Sequence, residues 1–375
     1  MKKIIVLGAG LVGKAIAIDL SKSHEVTSID LNANNLGKLK SYPAIKTREM
    51  DLSLQDSIRE AISDCDLVIG ALPSALGFPT LKTVIEAGKN IVDISFLSED
   101  PFELDKLAKE KNVTAVVDCG VAPGMSNMIL GYHNHEMKVE RFDCMVGGLP
   151  ANPDWPYRYK APFSPMDVLE EYTRPARIVE GGNVVVKPAL SELETVEFDQ
   201  VGSLEAFNTD GLRTLLTTMK IPFMRERTLR YPGHAALMKI LSETGFFRKE
   251  TINIKGQKVA PIDMTSKLLF PKWKLAEDEE EFTVMRIEIE GLENGAKKKV
   301  VYNLLDRYDK ATGTSSMART TGYTCTATAD LVLNGDYSRE GISPPEYLGE
   351  DEKCFRMVIK YLAARGIEYK QVVQE

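Results

Sequence analysis

The chain has 375 residues, 43% of them apolar and 27% charged, a balance that excludes wholesale disorder. At roughly 150 residues per domain it holds two or three domains. Its 47 Lys and Arg against 54 Asp and Glu leave a net charge of −7 with no basic cluster. That argues against nucleic acid or an anionic membrane as partner, and no apolar run reaches the ~18 residues of a membrane span.

The opening Met1-Lys2-Lys3 and the apolar run after it mimic a leader. Gly8 and Gly10 break that run and the helix after it carries Lys14 and Asp19, so a secretory signal is not expected. Five cysteines (65, 119, 144, 325 and 354) are an odd number without CxxC spacing, which suits reduced thiols in a cytoplasmic protein rather than disulfides or zinc.

Strands are expected at 3–7, 25–29, 45–50, 66–70, 90–94 and 113–117, largely apolar and separated by helical patterns. Ser53 with Asp56 reads as a capping box, and Asp100-Pro101 with Glu103 as a helix start. Six strands with crossover helices predict a doubly wound parallel sheet of the Rossmann type, an α/β fold. After residue 118 the strands lengthen and alternate, at 142–147, 183–187, 195–200, 228–231 and 282–290, the last paired through a turn at 292–296 with 298–305. This predicts a second, α+β domain with a mixed or antiparallel sheet. Its exposed edge favours a homodimer. The acidic run 277–281 reads as a solvated loop. A helix rich in small residues (Ala318, Gly322, Ala327, Ala329) runs from 314 to 334 and ends at Gly335, suited to close backbone approach. A last helix spans 351–365 and ends at Gly366.

Gly8-Ala9-Gly10-Leu11-Val12-Gly13 is GxGxxG between a predicted strand and a predicted helix. Gly8 permits the tight turn and Gly10 lets a pyrophosphate approach the backbone. Gly13 seats the helix, and the amides of Leu11 and Val12 lie at its N-terminus, where anions are favoured. Asp30, some 20 residues on, is placed to take ribose hydroxyls. It would repel a 2′-phosphate, and Leu31-Asn32 offer no cation, so NAD is expected over NADP. Asp51 and Leu52 after the third strand are candidates for the adenine end. Ala71-Leu72-Pro73 after the fourth, with Ser95 after the fifth, are candidates for the ribose and nicotinamide; each also suits a plain turn or cap.

Ligands of open parallel sheets lie beyond the carboxyl ends of the strands, which draws attention to Asp93 and to the loop Asp118–Gly124. Asp93 is either an acid–base group of raised pKa or a buried carboxylate satisfied by backbone amides. Gly124 opens a predicted helix whose N-terminus would suit a substrate carboxylate. In the second domain Thr209, Asp210, Arg213, Thr228 and Arg230 concentrate polar groups. Arg213 or Arg230 would clamp the carboxylate of an amino acid, or would serve in salt bridges. His234 after a turn is either catalytic or a cap. His133 and His135 do not share a helix face, so no metal site is expected.

Taken with VLGAGLVG (6–13), ALPS (71–74), VAPGMSN (121–127), GGLP (147–150), FNTDGLRTL (207–215), TLRYPGH (228–234), MARTTGYT (317–324) and GISPPEYLG (341–349), the chain resembles the saccharopine dehydrogenase family, and within it the lysine 6-dehydrogenase-like branch. The resemblance implies a Rossmann domain (1–122 and 316–375) interrupted by a substrate and dimerisation domain (123–315). It implies that residues 228–230 bind the amino-acid end of a substrate oxidised at a carbon bearing an amine. Phe96, Ala122 and Val146 stand where the glutamate-forming branch carries polar residues, which favours free lysine over saccharopine. The alternatives are saccharopine or a carboxy-polyamine made by reductive condensation, and, from another class, an NAD-binding protein without catalysis.

Overall fold

The computed structural model describes residues 1–276 and 278–374, in two compact units. The first unit comprises Met1–Lys138 and Met317–Glu368. Its seven strands are all parallel, in the spatial order Gly341–Ser343, Thr114–Val116, Ile91–Asp93, Leu67–Gly70, Lys3–Leu7, Glu25–Asp30, Ile45–Glu49. The order reverses beside the first strand, so a crevice opens at the carboxyl end of Lys3–Leu7. Strands 67–70, 91–93 and 114–116 are buried throughout, as sheet centres covered on both faces must be. Ile45–Glu49 departs from the apolar expectation, because only Ile45 is buried on this edge strand. The seventh strand, Gly341–Ser343, was not expected: three residues carry too little periodicity to be read.

The helix Ser316–Asn334 finds its close partner in Leu11–Leu20. A Cβ on Gly322 would lie 3.2 Å from Ile16 Cγ1 and 3.6 Å from Val12 Cγ1. The buried carboxylate of Asp19 fastens this packing, accepting hydrogen bonds from Thr326 Oγ1 (2.9 Å), Tyr361 Oη (2.8 Å) and Arg365 Nε (2.9 Å). Burial pushes the pKa of Asp19 up, but the hydrogen bonds from Arg365 and Tyr361 outweigh it and hold the carboxyl below its ordinary range. Helix Met125–Glu136 belongs to this unit, not to the second as the expected boundary at 122 had it. Its Gly131 lies against the Glu346 carbonyl, where a Cβ would come within 2.1 Å, and Gly349 is pressed as closely on Met128. The capping box at Ser53 is also corrected: the helix starts at Gln55, and Ser53 instead donates to Asp51.

The second unit comprises Val139–Ser316 and Tyr369–Glu375, so the chain's last strand returns here rather than to the first domain. Its nine-stranded sheet runs Glu194–Phe198, Gly202–Thr209, Phe223–Arg230, Lys138–Pro150, Glu281–Glu293, Ala296–Arg307, Lys370–Gln374, with Ala176–Glu180 and Asn183–Lys187 attached beside Phe223–Arg230. Phe223–Arg230 pairs parallel with Lys138–Pro150 and antiparallel with Gly202–Thr209, which makes the sheet mixed. The long hairpin turns at Asn294 and Gly295, both with positive φ, as a two-residue turn of matching twist requires. Glu281, expected in a solvated acidic loop, is buried at the start of a strand; Glu277 lies outside the described residues. Helices Pro165–Thr173, His234–Thr244 and Pro261–Trp273 cover one end of the sheet over a core that includes Tyr172, Phe207, Leu229, Met238 and Trp273.

Candidate functional site

The glycine loop sits in the crevice of the first unit. Gly8 has φ +104°, and a Cβ there would lie 2.3 Å from the Ala71 carbonyl oxygen; one on Gly13 would lie 2.1 Å from the Gly8 carbonyl. Gly10 is exposed with open space where a Cβ would project, and it caps Leu11–Leu20. The first-turn amides, Leu11 and Val12 among them, have no intrahelical acceptor, so the loop presents donors and the positive end of a helix to an anion. Asp30 clasps the loop. Its Oδ2 accepts from Ala9 N–H (2.8 Å) and Asn35 Nδ2 (3.2 Å), and its Oδ1 from Asn32 N–H (2.7 Å). A carboxylate offers about four lone-pair directions, so an acceptor position is left for a ribose hydroxyl. The cradle fits a dinucleotide pyrophosphate.

The other candidates around the crevice divide. Asp51 Oδ1 is taken by the Ser53 amide and hydroxyl, which hold its pKa below the ordinary carboxylate range. Leu52 puts its side chain into the core instead of the crevice. Ala71 N–H bonds the Leu7 carbonyl at 2.9 Å, and Pro73 caps Ser74–Glu86, which places Ala71, Leu72 and Pro73 in the turn next to Gly8. Gly124 is corrected: the amides at the start of its helix are taken by the preceding loop, Met125 N–H by the Gly120 carbonyl (3.0 Å) and Ser126 N–H by the Val121 carbonyl (3.2 Å). That N-terminus does not present them to a carboxylate.

Asp93 ends the fifth strand and is only 1% exposed. Its Oδ1 accepts the Ser95 amide at 2.7 Å, while Oδ2 and the Ser95 hydroxyl have no hydrogen-bond partner among the described residues. The carboxyl lies on the backbone of Gly70, where a Cβ would come within 1.7 Å of Oδ2, and Gly77 makes the matching room for Ser95. Burial, aided by the charge of Asp118, pushes the pKa of Asp93 up to about 7. Gly70 and Gly77 were missed in the sequence, since neither lies in a turn motif.

In the second unit the predicted polar residues do not form one site. The Asp210 carboxylate grips Arg177, accepting its Nε at 2.8 Å and its Nη2 at 2.9 Å, so it serves the sheet rather than a ligand. Thr228 Oγ1 donates to Thr209 Oγ1 at 3.1 Å. Arg213 is buried with a left-handed backbone, φ +53°. Arg230 instead centres a compact cluster. Its Nε donates to Tyr172 Oη (2.9 Å), its Nη1 to the Leu229 carbonyl (2.9 Å), and its Nη2 to Glu171, while the guanidinium lies 4.4 Å from the Tyr159 ring centroid.

His234 belongs to that cluster and is corrected from catalyst to support. Its Nδ1 faces the Tyr157 carbonyl at 2.8 Å, and a carbonyl only accepts, so Nδ1 carries the proton. Nε2 is then the acceptor for Tyr172 Oη–H at 2.9 Å, and Tyr172 in turn receives Arg230 Nε–H. Both ring nitrogens are occupied. Burial, with the charge of Arg230 beside it, pushes the pKa of His234 down to about 3 and keeps the ring neutral. Tyr159, Glu171 and Tyr172 were missed in the sequence: they lie 58 to 71 positions from Arg230 and form no local motif. Among the described residues no three His, Cys, Asp or Glu side chains converge as metal ligands.

Residues 4–116 match the family model described as the saccharopine dehydrogenase NADP binding domain, and residues 120–367 the one described as the saccharopine dehydrogenase C-terminal domain. The chain belongs to the saccharopine dehydrogenase family. It is 23% identical to the mitochondrial alpha-aminoadipic semialdehyde synthase of Rattus norvegicus over 98% of this chain but 47% of that protein. The chain thus spans about half the length of that relative. The carboxyaminopropylagmatine dehydrogenase of a Synechocystis strain is 21% identical over 100% of this chain and 98% of its own. The apo saccharopine dehydrogenase (L-Glu forming) of Saccharomyces cerevisiae superposes with a TM-score of 0.80 over all of both chains at 19% identity, which shows the shared fold. Within the family, the glycine cradle and Asp30 mark the first unit as the nicotinamide-dinucleotide domain.

Proposed function

We propose that this family member is an NAD-dependent dehydrogenase that oxidises the ε-carbon of L-lysine, with water then hydrolysing the imine to aldehyde and ammonia. The bound nicotinamide supplies hydride acceptance. The observation that carries the reading is Arg230, a guanidinium already fixed in orientation by Tyr172 and the Leu229 carbonyl, the requirement for planar recognition of a carboxylate. Phe96 and Ala122 in the first unit, and separately Val146 in the second, are apolar and partly exposed where the resemblance puts polar residues in the glutamate-forming branch, which supports a slimmer substrate such as lysine. The amine, of ordinary pKa about 10.4, must lose its proton before hydride leaves, and desolvation assists that loss. Asp93, whose buried Oδ2 has no hydrogen-bond partner among the described residues, is the first unit's candidate for a proton-holding group.

The family model's description names NADP, whereas the Asp30 carboxylate and the uncharged Leu31 and Asn32 support NAD for this chain. Arg48, the register partner of Ile29, is held by Glu60 at 2.7 Å. Self-association as a homodimer is part of the proposal, supported by the exposed edge strand Lys370–Gln374 and testable by sedimentation. The test of the reaction is the absorbance of reduced nicotinamide on mixing protein, L-lysine and either NAD or NADP. A signal with NAD is expected.

The near-complete alignment with the Synechocystis protein supports a second reading, a conjugated secondary amine carrying a carboxylate. Silence with lysine, together with oxidation of the reduced cofactor by an aldehyde plus an amino acid, would replace the first reading with the second. Silence in both assays with measurable NAD binding would leave a binding protein.

A further inference from the structure

We infer that Glu171 is an internal stand-in for the substrate's carboxylate, seated on Arg230 in the resting protein and displaced when an amino acid binds. The inference rests on the proposed role of Arg230 and adds the residue that controls access to it.

The guanidinium is held in place by neutral groups. Tyr172 Oη takes Nε, the Leu229 carbonyl takes Nη1, and the Tyr159 ring lies beneath, all three residues being buried. Its orientation therefore survives the departure of Glu171. The Arg230 side chain is 3% exposed and that of Glu171 24%, so Glu171 is the member of the cluster whose side chain borders solvent. An incoming carboxylate can reach the buried cation along the path that Glu171 occupies. Glu171 precedes Tyr172 on helix Pro165–Thr173, and a step of about 100° per residue lets one side chain swing outward while the other stays packed.

Charge and hydration favour an exchange. A buried guanidinium left unpaired is costly, so the resting protein needs an anion there, and replacing one carboxylate by another keeps the interior neutral. Burial pushes the Glu171 carboxyl above its ordinary range, with Arg230 offsetting only part of the shift. Release into water recovers that lost hydration. The device also sets specificity: a ligand without a carboxylate would leave Arg230 unpaired if it displaced Glu171, so bare amines gain nothing at this position.

The test uses the full chain in two variants. In Glu171→Ala one Nη2 donor is uncovered, the other being turned to Tyr159 Oη at 3.4 Å. Exchanging potassium chloride for potassium acetate at constant ionic strength should raise its Tm by roughly 3 °C, the shift expected when a site of ~10 mM affinity is filled at ~100 mM. Wild type should not respond, and neither should Glu171→Ala combined with Arg230→Met. In Glu171→Gln, which keeps side-chain volume, KM for L-lysine should fall about tenfold with kcat changed less than about twofold, while KM for L-lysinamide stays put. Acetate no better than chloride, or an unchanged or raised KM in a natively folded Glu171→Gln protein, overturns the inference. Failure of the underlying reading looks different: Arg230→Lys would then keep the wild-type KM whatever acetate does at Glu171.

Discussion

Asp93→Asn tests whether the buried carboxyl at the end of the fifth strand is held as the structure indicates. The substitution keeps the shape and the Oδ1 acceptor for the Ser95 amide, and removes only the ability to ionise. In the folded protein the Asp93 pKa lies at about 7, against 3.8 when unperturbed. A carboxyl whose folded pKa is raised contributes its full stability below the unfolded value and loses it as pH rises through the folded one. At 1.36 kcal/mol per pH unit, the wild type should lose about 4 kcal/mol relative to Asp93→Asn between pH 4 and 8. Urea unfolding of both proteins across that range measures it, and subtraction cancels contributions common to both, including the opposite slope of His234, whose folded pKa is depressed. A difference flat to within about 0.5 kcal/mol would show that ionised Asp93 is solvated and would remove it from the proposed chemistry.

Gly70→Ala should be felt at once, because its Cβ would lie 1.7 Å from Asp93 Oδ2. A loss of about 2–3 kcal/mol is expected, and a loss below about 0.5 kcal/mol would contradict the packing. Arg365→Ala leaves the buried Asp19 carboxylate with only the exposed Lys22 as a cationic partner and should cost about 2–3 kcal/mol in chemical denaturation; a cost under about 1 kcal/mol would mean that Asp19 does not fasten the C-terminal helices. Asp30→Ala frees the glycine loop and removes the ribose acceptor. NAD affinity measured by calorimetry should fall at least about tenfold with NADP affinity falling less, and an equal fall for both would refute the proposed NAD preference.

The first unit was the more legible in sequence. Continuous apolar strands and the glycine turn are local signals, and the small residues around Gly322 foretold a close helix contact, though not that its partner would be Val12 and Ile16. The edge strand 45–49 was expected but not its exposure, because edges tolerate polar residues, and the three-residue strand 341–343 escaped because short strands lack periodicity. At the site, Gly124 suggested an open helix N-terminus, but Gly120 and Val121 turn their carbonyls onto it. His234 and Arg230 were both singled out from one heptapeptide. Their roles were settled by Tyr157, Tyr159, Glu171 and Tyr172, brought in by tertiary packing that no spacing along the chain encodes. Asp93 drew attention by lying at a strand end, yet the room for it comes from Gly70 across the sheet.

Recognition of an amino acid's carboxylate during oxidation at an amine-bearing carbon sets the proposed activity apart from that of a plain amine dehydrogenase. Comparing kcat/KM for L-lysine with that for the matching diamine, which lacks only the carboxylate, tests this with NAD as acceptor. A charge-assisted pair at Arg230 worth about 3 kcal/mol predicts a preference of roughly 100-fold for lysine, abolished in Arg230→Lys. Equal rates with lysine and the diamine, or turnover of neither, would contradict it.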